Sequence, residues 1–502
     1  MSLARHARHN ATAVLLNAFS ALAMSIVAAR TLGPIAMGTY SWLTWLLALG
    51  AIVVHLGGLT TTTKHLAEAA GRGDLPEACG VLVHGLTRWA RHLAWGLGAW
   101  ALVGALLPLP VSHTTWLLTA LVLLPSTLAM GLTGACQGLH LHRAVATAAA
   151  LALATQGVGL SLVVWAGLGV DGIILTQGVA QALACWPLGL ALAAWRPGWW
   201  RERPSQALHA TLTRFGRTLA LIVVVDAIVW QRSGVLVLER WSSAAEVGYY
   251  ALAFSLAQMA MRTGPGALVG VLLPAMARTR GAGHEADLAR LYRRTGRVLA
   301  LVALPLGTIG ATVAQPLVTL LFGPAYGPMA APLALLLLGG AASAVLGFPA
   351  SSLLYALDRP AAVQRTGLAG AAVYGLGVAL LVPGGGALEA AIATVGAQAT
   401  CLVLGTWRVR SSPAGCWPDG ERLGWIALAA VAAGAAAAGP AVALPPGTGL
   451  AAGTVLGGLT YLLVLVATPA LGAQARDALR AAARLRRRPR VTPVTTPGPL
   501  DG

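Results

Sequence analysis

The stretch WRPGWWRERPSQALHATLTRFGR, residues 195–217, carries five arginines against one glutamate and separates two apolar runs, 171–194 and 217–238. Each run has more than the roughly 20 residues that cross a hydrocarbon core of about 30 Å at about 1.5 Å per residue. The same alternation extends in both directions. Apolar runs fall at about 11–30, 39–62, 90–109, 114–137, 144–168, 171–194, 217–238, 246–276, 297–322, 329–356, 362–383, 387–407, 423–443 and 449–470, which we number spans 1 to 14. Of the 34 Lys and Arg, all except Arg30, Arg232, Arg240 and Arg262 fall in the tails or around alternate gaps, chiefly 64–92, 195–217 and 277–297. Cytoplasmic loops hold positive charge during insertion, so both termini are expected in the cytoplasm and the outer loops are expected to be short. The pattern predicts an all-α polytopic protein of the inner (plasma) membrane.

Composition agrees. Charged residues are 10% of the 502 and hydrophobic ones 57%, which excludes an ordinary soluble domain. The net charge of +18 does not indicate nucleic acid, because no aromatic-basic face accompanies it. Positive charge at the cytoplasmic leaflet attracts anionic lipids instead. The five cysteines (Cys79, Cys136, Cys185, Cys401, Cys416) form no CxxC pair and read as reduced packing residues. Arg5 and Arg8 before an apolar run imitate a secretory signal, but thirteen further spans make it a retained first helix. The Asn10-Ala11-Thr12 sequon lies on the wrong side for glycosylation.

Span 8 is longer than a bilayer needs, so it is expected to tilt or to extend into the cytoplasm. The 61 glycines favour close helix packing in lipid. Residues 1–200 form an expected N-lobe of spans 1–6, 201–410 a C-lobe of spans 7–12, and 411–470 carry spans 13 and 14. The basic 471–502 tail reads as a surface helix followed by disorder. A repeat supports the two lobes. At an offset of 210 residues, RTLGPIAMGTY (30–40) lies over RWSSAAEVGYY (240–250), aligning Gly38 with Gly248 and Tyr40 with Tyr250. An even number of spans separates the copies, so the repeat is parallel, about an axis along the membrane normal.

These motifs resemble the polysaccharide (O-antigen and exopolysaccharide) flippase branch of the multidrug/oligosaccharidyl-lipid/polysaccharide exporter superfamily. They are Ala29 to Tyr40; Trp230-Gln231-Arg232-Ser233 through Leu238-Glu239 and Ala245 to Tyr250; and Leu272-Leu273-Pro274-Ala275 before Arg290 to Arg294. The resemblance spans roughly residues 10–470. It implies a V-shaped, two-lobed fold around a central cavity that faces each side in turn. It also implies a cargo, an oligosaccharide on a polyprenyl diphosphate, and a lipid-tail groove at spans 13 and 14. Gly234 stands where many relatives carry an acid.

The ionisable residues inside the spans are the candidate site, since each costs about 2.5–3.5 kcal/mol near a helix centre unless paired or hydrated. Arg232 and Arg262 are expected to line the cavity and meet the anionic diphosphate, because a guanidinium binds phosphate oxygens bidentately. Asp226 is expected to hold Arg262 across the span pair, or to titrate in ion coupling. A structural Asp–Arg stitch is the plain alternative. Gln231 joins Arg232, while Asn17 and Gln258 are candidates for sugar hydroxyls, against a role as interhelical glue. Arg30 is a cavity candidate whose plain alternative, shared with Arg240, is snorkelling to headgroups. His55 reads as packing more than proton sensing, Lys64 as a topological anchor, and Trp195, Trp199 and Trp200 as an interfacial belt.

The function expected is flipping of a lipid-linked oligosaccharide for surface or extracellular polysaccharide synthesis. The partners expected are that cargo, anionic lipids, and a polymerase or glycosyltransferases. A multidrug or organic-cation antiporter of the same fold is the alternative, but a cationic cargo calls for intramembrane carboxylates and Asp226 stands nearly alone. An integral-membrane polysaccharide-processing enzyme is the third reading, and the short outer loops hold little to support it. No nucleotide loop or metal motif is present, so no cofactor and no enzymatic activity is expected.

Overall fold

The computed structural model describes residues 3–106, 111–230, 234–263, 265, 276, 279, 285–357, 359–411 and 418–468. Excepted are the side chains of 3–15, 17, 18, 218, 219, 221–230, 285 and 286. Every element among them is helical. In the N-terminal half these are α1 (Leu3–His55), α2 (Gly58–Arg72), α3 (Leu75–Leu106), α4 (His113–Gly138), α5 (His142–Ala166) and α6 (Gly169–Trp195). The C-terminal half has α7 (Gln206–Trp230), α8 (Gly234–Trp241), α9 (Ala244–Thr263), α10 (Glu285–Thr312), α11 (Ala314–Phe322) and α12 (Ala330–Ala342). A π turn (Ser343–Gly347) leads into α13 (Phe348–Ala356), followed by α14 (Pro360–Leu381) and α15 (Ala387–Arg410). The pair α16 (Gly420–Ala443) and α17 (Pro446–Ala467) ends the described chain. Among the described residues nine helices are long and apolar enough to cross a membrane by length and composition.

A straight helix of 53 residues would reach about 80 Å, far more than a bilayer. Gly33 (φ 74°, ψ 173°) and Pro34 break α1 into two arms, which are spans 1 and 2. The second arm ends at Leu56 (φ 37°) and Gly57 (φ 76°). The carbonyls freed there are met by side chains of α3: Arg88 Nη2 donates to Leu56 O at 2.7 Å, and His92 Nδ1 lies 3.1 Å from Val54 O.

Several boundaries differ from expectation. The basic gap 64–92 is α2 plus the start of α3, α7 begins eleven residues before span 7, and α10 begins at Glu285, not 297. These polar segments are rich in Ala, Leu, Arg and Glu, good helix formers, and they bury an apolar face on the lobes. Span 9 divides at Val313 and span 10 at the π turn. Span 8 is described as far as Thr263.

Among the described residues the two halves meet at two places. At one end, the turn within α1 abuts the start of α9. A Cβ on Gly38 would overlap the carbonyl oxygen of Ala244, and one on Gly248 would lie 2.8 Å from Pro34 O. Since 34 and 244, like 38 and 248, differ by 210, these are one contact repeated by the internal symmetry. Tyr326 Oη donates to Ala29 O at 2.9 Å beside them. We call this the tight end. At the opposite, basic end, the start of α7 packs on α2 and α3. His84 and His209 place their Nδ1 atoms 3.1 Å apart, and Lys64 sits 4.4 Å over the Phe215 ring. Helices α16 and α17 form a pair against α10, with Gly453 and Gly457 set close to the carbonyls of Ala437 and Ala433.

Candidate functional site

Between the two contacts lies a central cavity of about 580 Å³, within the usual range for ligand pockets. Both arms of α1 line it, as do α5, α6 and α9. On α9 the lining residues Ala251, Ser255, Gln258 and Arg262 follow at intervals of four, three and four, one face of one helix. On α6, Gln177 and Gln181 are one turn apart. The second arm of α1 presents Tyr40, Ser41 and Thr44. Ser20 Oγ on the first arm donates to Gln156 Oε1 on α5, joining two walls.

Amides and hydroxyls therefore dominate the polar lining. Gln177 Oε1 is buried without a hydrogen-bond partner, an acceptor aimed at no protein group. Among the described lining residues Arg262 carries the one formal charge. It is exposed, and among the described residues no carboxylate lies within ion-pair distance of it. A guanidinium in a recess of neutral donors and acceptors suits an anion flanked by hydroxylated groups.

The structure brings two of the sequence candidates, Gln258 and Arg262, into this cavity. Arg30 sits elsewhere: its Nε donates to Leu321 O at 2.8 Å and its Nη2 to Leu320 O, so it caps the C-terminus of α11 and ties the lobes together. The side chains of Asn17 and Asp226, and all of Gln231 and Arg232, lie outside the described residues, so the expected Asp226–Arg262 contact does too. His55 is buried with Nε2 3.1 Å from Thr127 O. Gly234 has a structural reason: a Cβ there would sit 2.8 Å from the Tyr250 ring and 3.1 Å from Tyr374 Oη, leaving no room for an acid.

Sequence reasoning missed Ser20, Tyr40, Ser41, Thr44, Gln156, Gln177, Gln181 and Ser255. Polar residues at helical spacing inside apolar runs were the available signal, plainest in the Gln177 and Gln181 pair.

Residues 110–331 match a family model described as "Polysaccharide biosynthesis protein". No curated protein matches the sequence. Among solved structures, the chain is similar to the lipid II flippase MurJ in an inward closed conformation. The TM-score is 0.73 at 11% identity, covering 94% of this chain and 99% of that one. An inward-facing multidrug resistance MATE-family transporter gives 0.68 at 15% identity, covering 79% of this chain and 95% of that one. A transporter of the same superfamily from Pyrococcus furiosus gives 0.54 at 14% identity, covering 80% and 96%. The chain thus has the fold of these solved transporters, and its residues 110–331 carry the polysaccharide-biosynthesis family match.

Proposed function

We propose that this membrane transporter flips an oligosaccharide linked to a polyprenyl diphosphate across the inner membrane, supplying surface or extracellular polysaccharide synthesis. The observation that carries the proposal is Arg262, the one charged residue among the described cavity lining, flanked by glutamines and hydroxyls and with no carboxylate among the described residues within ion-pair distance. The diphosphate docks on that guanidinium, and sugar hydroxyls exchange hydrogen bonds with Gln156, Gln177, Gln181 and Gln258. The cation-antiporter reading asks for the opposite polarity in this chamber. Support for the cargo class also comes from the family match and from the structural likeness to a lipid II flippase. The basic end faces the cytoplasm with both termini, by the positive-inside rule. In this reading the protein is a carrier and not an enzyme, and a polymerase or glycosyltransferases act before and after it.

The test is export in cells lacking the native copy. Arg262→Ala is expected to abolish export and leave lipid-linked glycan on the inner leaflet, with normal insertion. Arg262→Lys keeps a fraction if charge alone matters and little if bidentate contact does. Wild-type export by Arg262→Ala refutes the assignment.

A further inference from the structure

Behind α9 lies a second chamber of about 400 Å³, wholly within the C-terminal half, lined by α9, α12 with its π turn, α13, α14 and α15. Phe254 and Gln258 line it and also line the central cavity, so α9 is the party wall between the two. Its polar lining is neutral: Gln258, Gln398, Ser343, Ser351 and Thr366. No charged residue is among the described lining. Gln398 Oε1 is buried with no hydrogen-bond partner. The apolar part includes the rings of Phe254 and Phe348. Ser343 opens the π turn, a distortion that recurs at functional sites.

The lining limits what belongs here. A cation would lack a counter-charge among the described lining, while Arg408 behind it is engaged on protein groups, donating from Nη1 to Thr366 Oγ1 and to Ala362 O. An all-hydrocarbon occupant would leave the amides and hydroxyls along this lining without partners. A neutral sugar ring matches both surfaces, with hydroxyls for the amides and a C–H face for the aromatic rings. Arg262 and Gln258 are one helical turn apart, about 6 Å along the axis. A phosphate held by Arg262 thus places the group attached to it beside Gln258, at the wall between the chambers. We propose that this C-lobe chamber is a neutral-sugar subsite that takes the sugar nearest the diphosphate. The proposal rests on the function proposed above.

Cys401 lines the chamber and is its own reporter. Purified full-length protein, with Cys79, Cys136, Cys185 and Cys416 replaced by Ala, is treated with N-ethylmaleimide. The probes are undecaprenyl diphosphate and undecaprenyl-diphosphate-linked N-acetylglucosamine, with Tm recorded alongside. Both lipids are expected to raise Tm, and the rise is lost in Arg262→Ala. Only the sugar-bearing lipid protects Cys401, by about tenfold at ten times its dissociation constant. Gln398→Leu loses that protection and keeps the Tm rise with the sugar-free lipid. Ser351→Cys, on a background also lacking Cys401, is an independent reporter at the same chamber and is protected in parallel. Equal protection by the sugar-free lipid assigns the chamber to the lipid tail and overturns the inference. An Arg262-dependent Tm rise with no protection by either lipid overturns it and leaves the proposed function standing. If neither lipid raises Tm, both fall.

Discussion

Gly38→Ala probes the contact on which the resting shape of the two lobes depends. The added methyl overlaps the Ala244 carbonyl oxygen, whereas carbon and oxygen in close contact stand about 3.3–3.6 Å apart, so the arms must part by on the order of 1 Å. Both sides of the contact are helical backbone, which cannot swing aside as a side chain does. Overpacking of this kind costs about 1–3 kcal/mol, so the equilibrium shifts away from the closed tight end by about 5–150-fold. The repeat mate provides a graded control. Gly248→Ala meets Pro34 O at 2.8 Å, a lesser conflict, and should give a smaller shift. Because both substitutions press on one contact, the double variant should fall short of the sum. Spin labels at Ile35 and Trp241, both exposed near this end, report the separation by double electron–electron resonance in lipid nanodiscs. The expected result is a population at longer distance, largest for Gly38→Ala, with reduced export. A Gly38→Ala distribution that superimposes on wild type, with unchanged Tm, would refute the account of the tight end.

Three other predictions follow from the same geometry. His84, which precedes span 3, is held down to about 4 by burial first, then by His209, Arg88 and Arg91. The unfolded chain then binds the extra proton between about pH 6.5 and 4, so Tm should fall with pH in that window. The loss is on the order of 3 kcal/mol by pH 4, and His84→Asn should flatten this slope; a wild-type-like slope in the variant counts against the assignment. Gly234→Asp should lower Tm and accumulation without restoring any acid-dependent coupling, because the side chain has no space beside Tyr250 and Tyr374; a stable, active variant contradicts this. Arg30→Ala should loosen the tight end in the same spin-label assay while leaving Arg262-dependent lipid binding intact, since Arg30 bonds to α11; loss of lipid binding would instead return Arg30 to the cavity.

The apolar runs were legible because hydrocarbon imposes a length and hydropathy that few other environments share. The pairing of Gly38 with Gly248 was legible as a repeat, but its meaning, a self-complementary contact of backbone on backbone, needed coordinates. The helices in 64–92 and 206–216 were hidden by their charge. Polarity there was read as loop, yet it is the solvated face of helices whose other face packs the lobes. The breaks at Leu56, Val313 and the π turn leave little trace in composition. Within the site, Arg262 and Gln258 were readable as isolated polar residues in an apolar run. The glutamines of α5 and α6 carry the same signal, but only packing distinguishes a cavity wall from helix glue.

Hydropathy and the placement of lysine and arginine along the chain suffice for a helical membrane protein of two like-oriented lobes, since insertion reads segments one at a time. Which polar side chains share a chamber, which arginine ties the lobes and which lines the cavity, and which end of the bundle is shut are decided between segments. Those answers depend on close contacts among helices distant in sequence, such as Gly38 on Ala244 and Arg30 on Leu321, and no single segment encodes them.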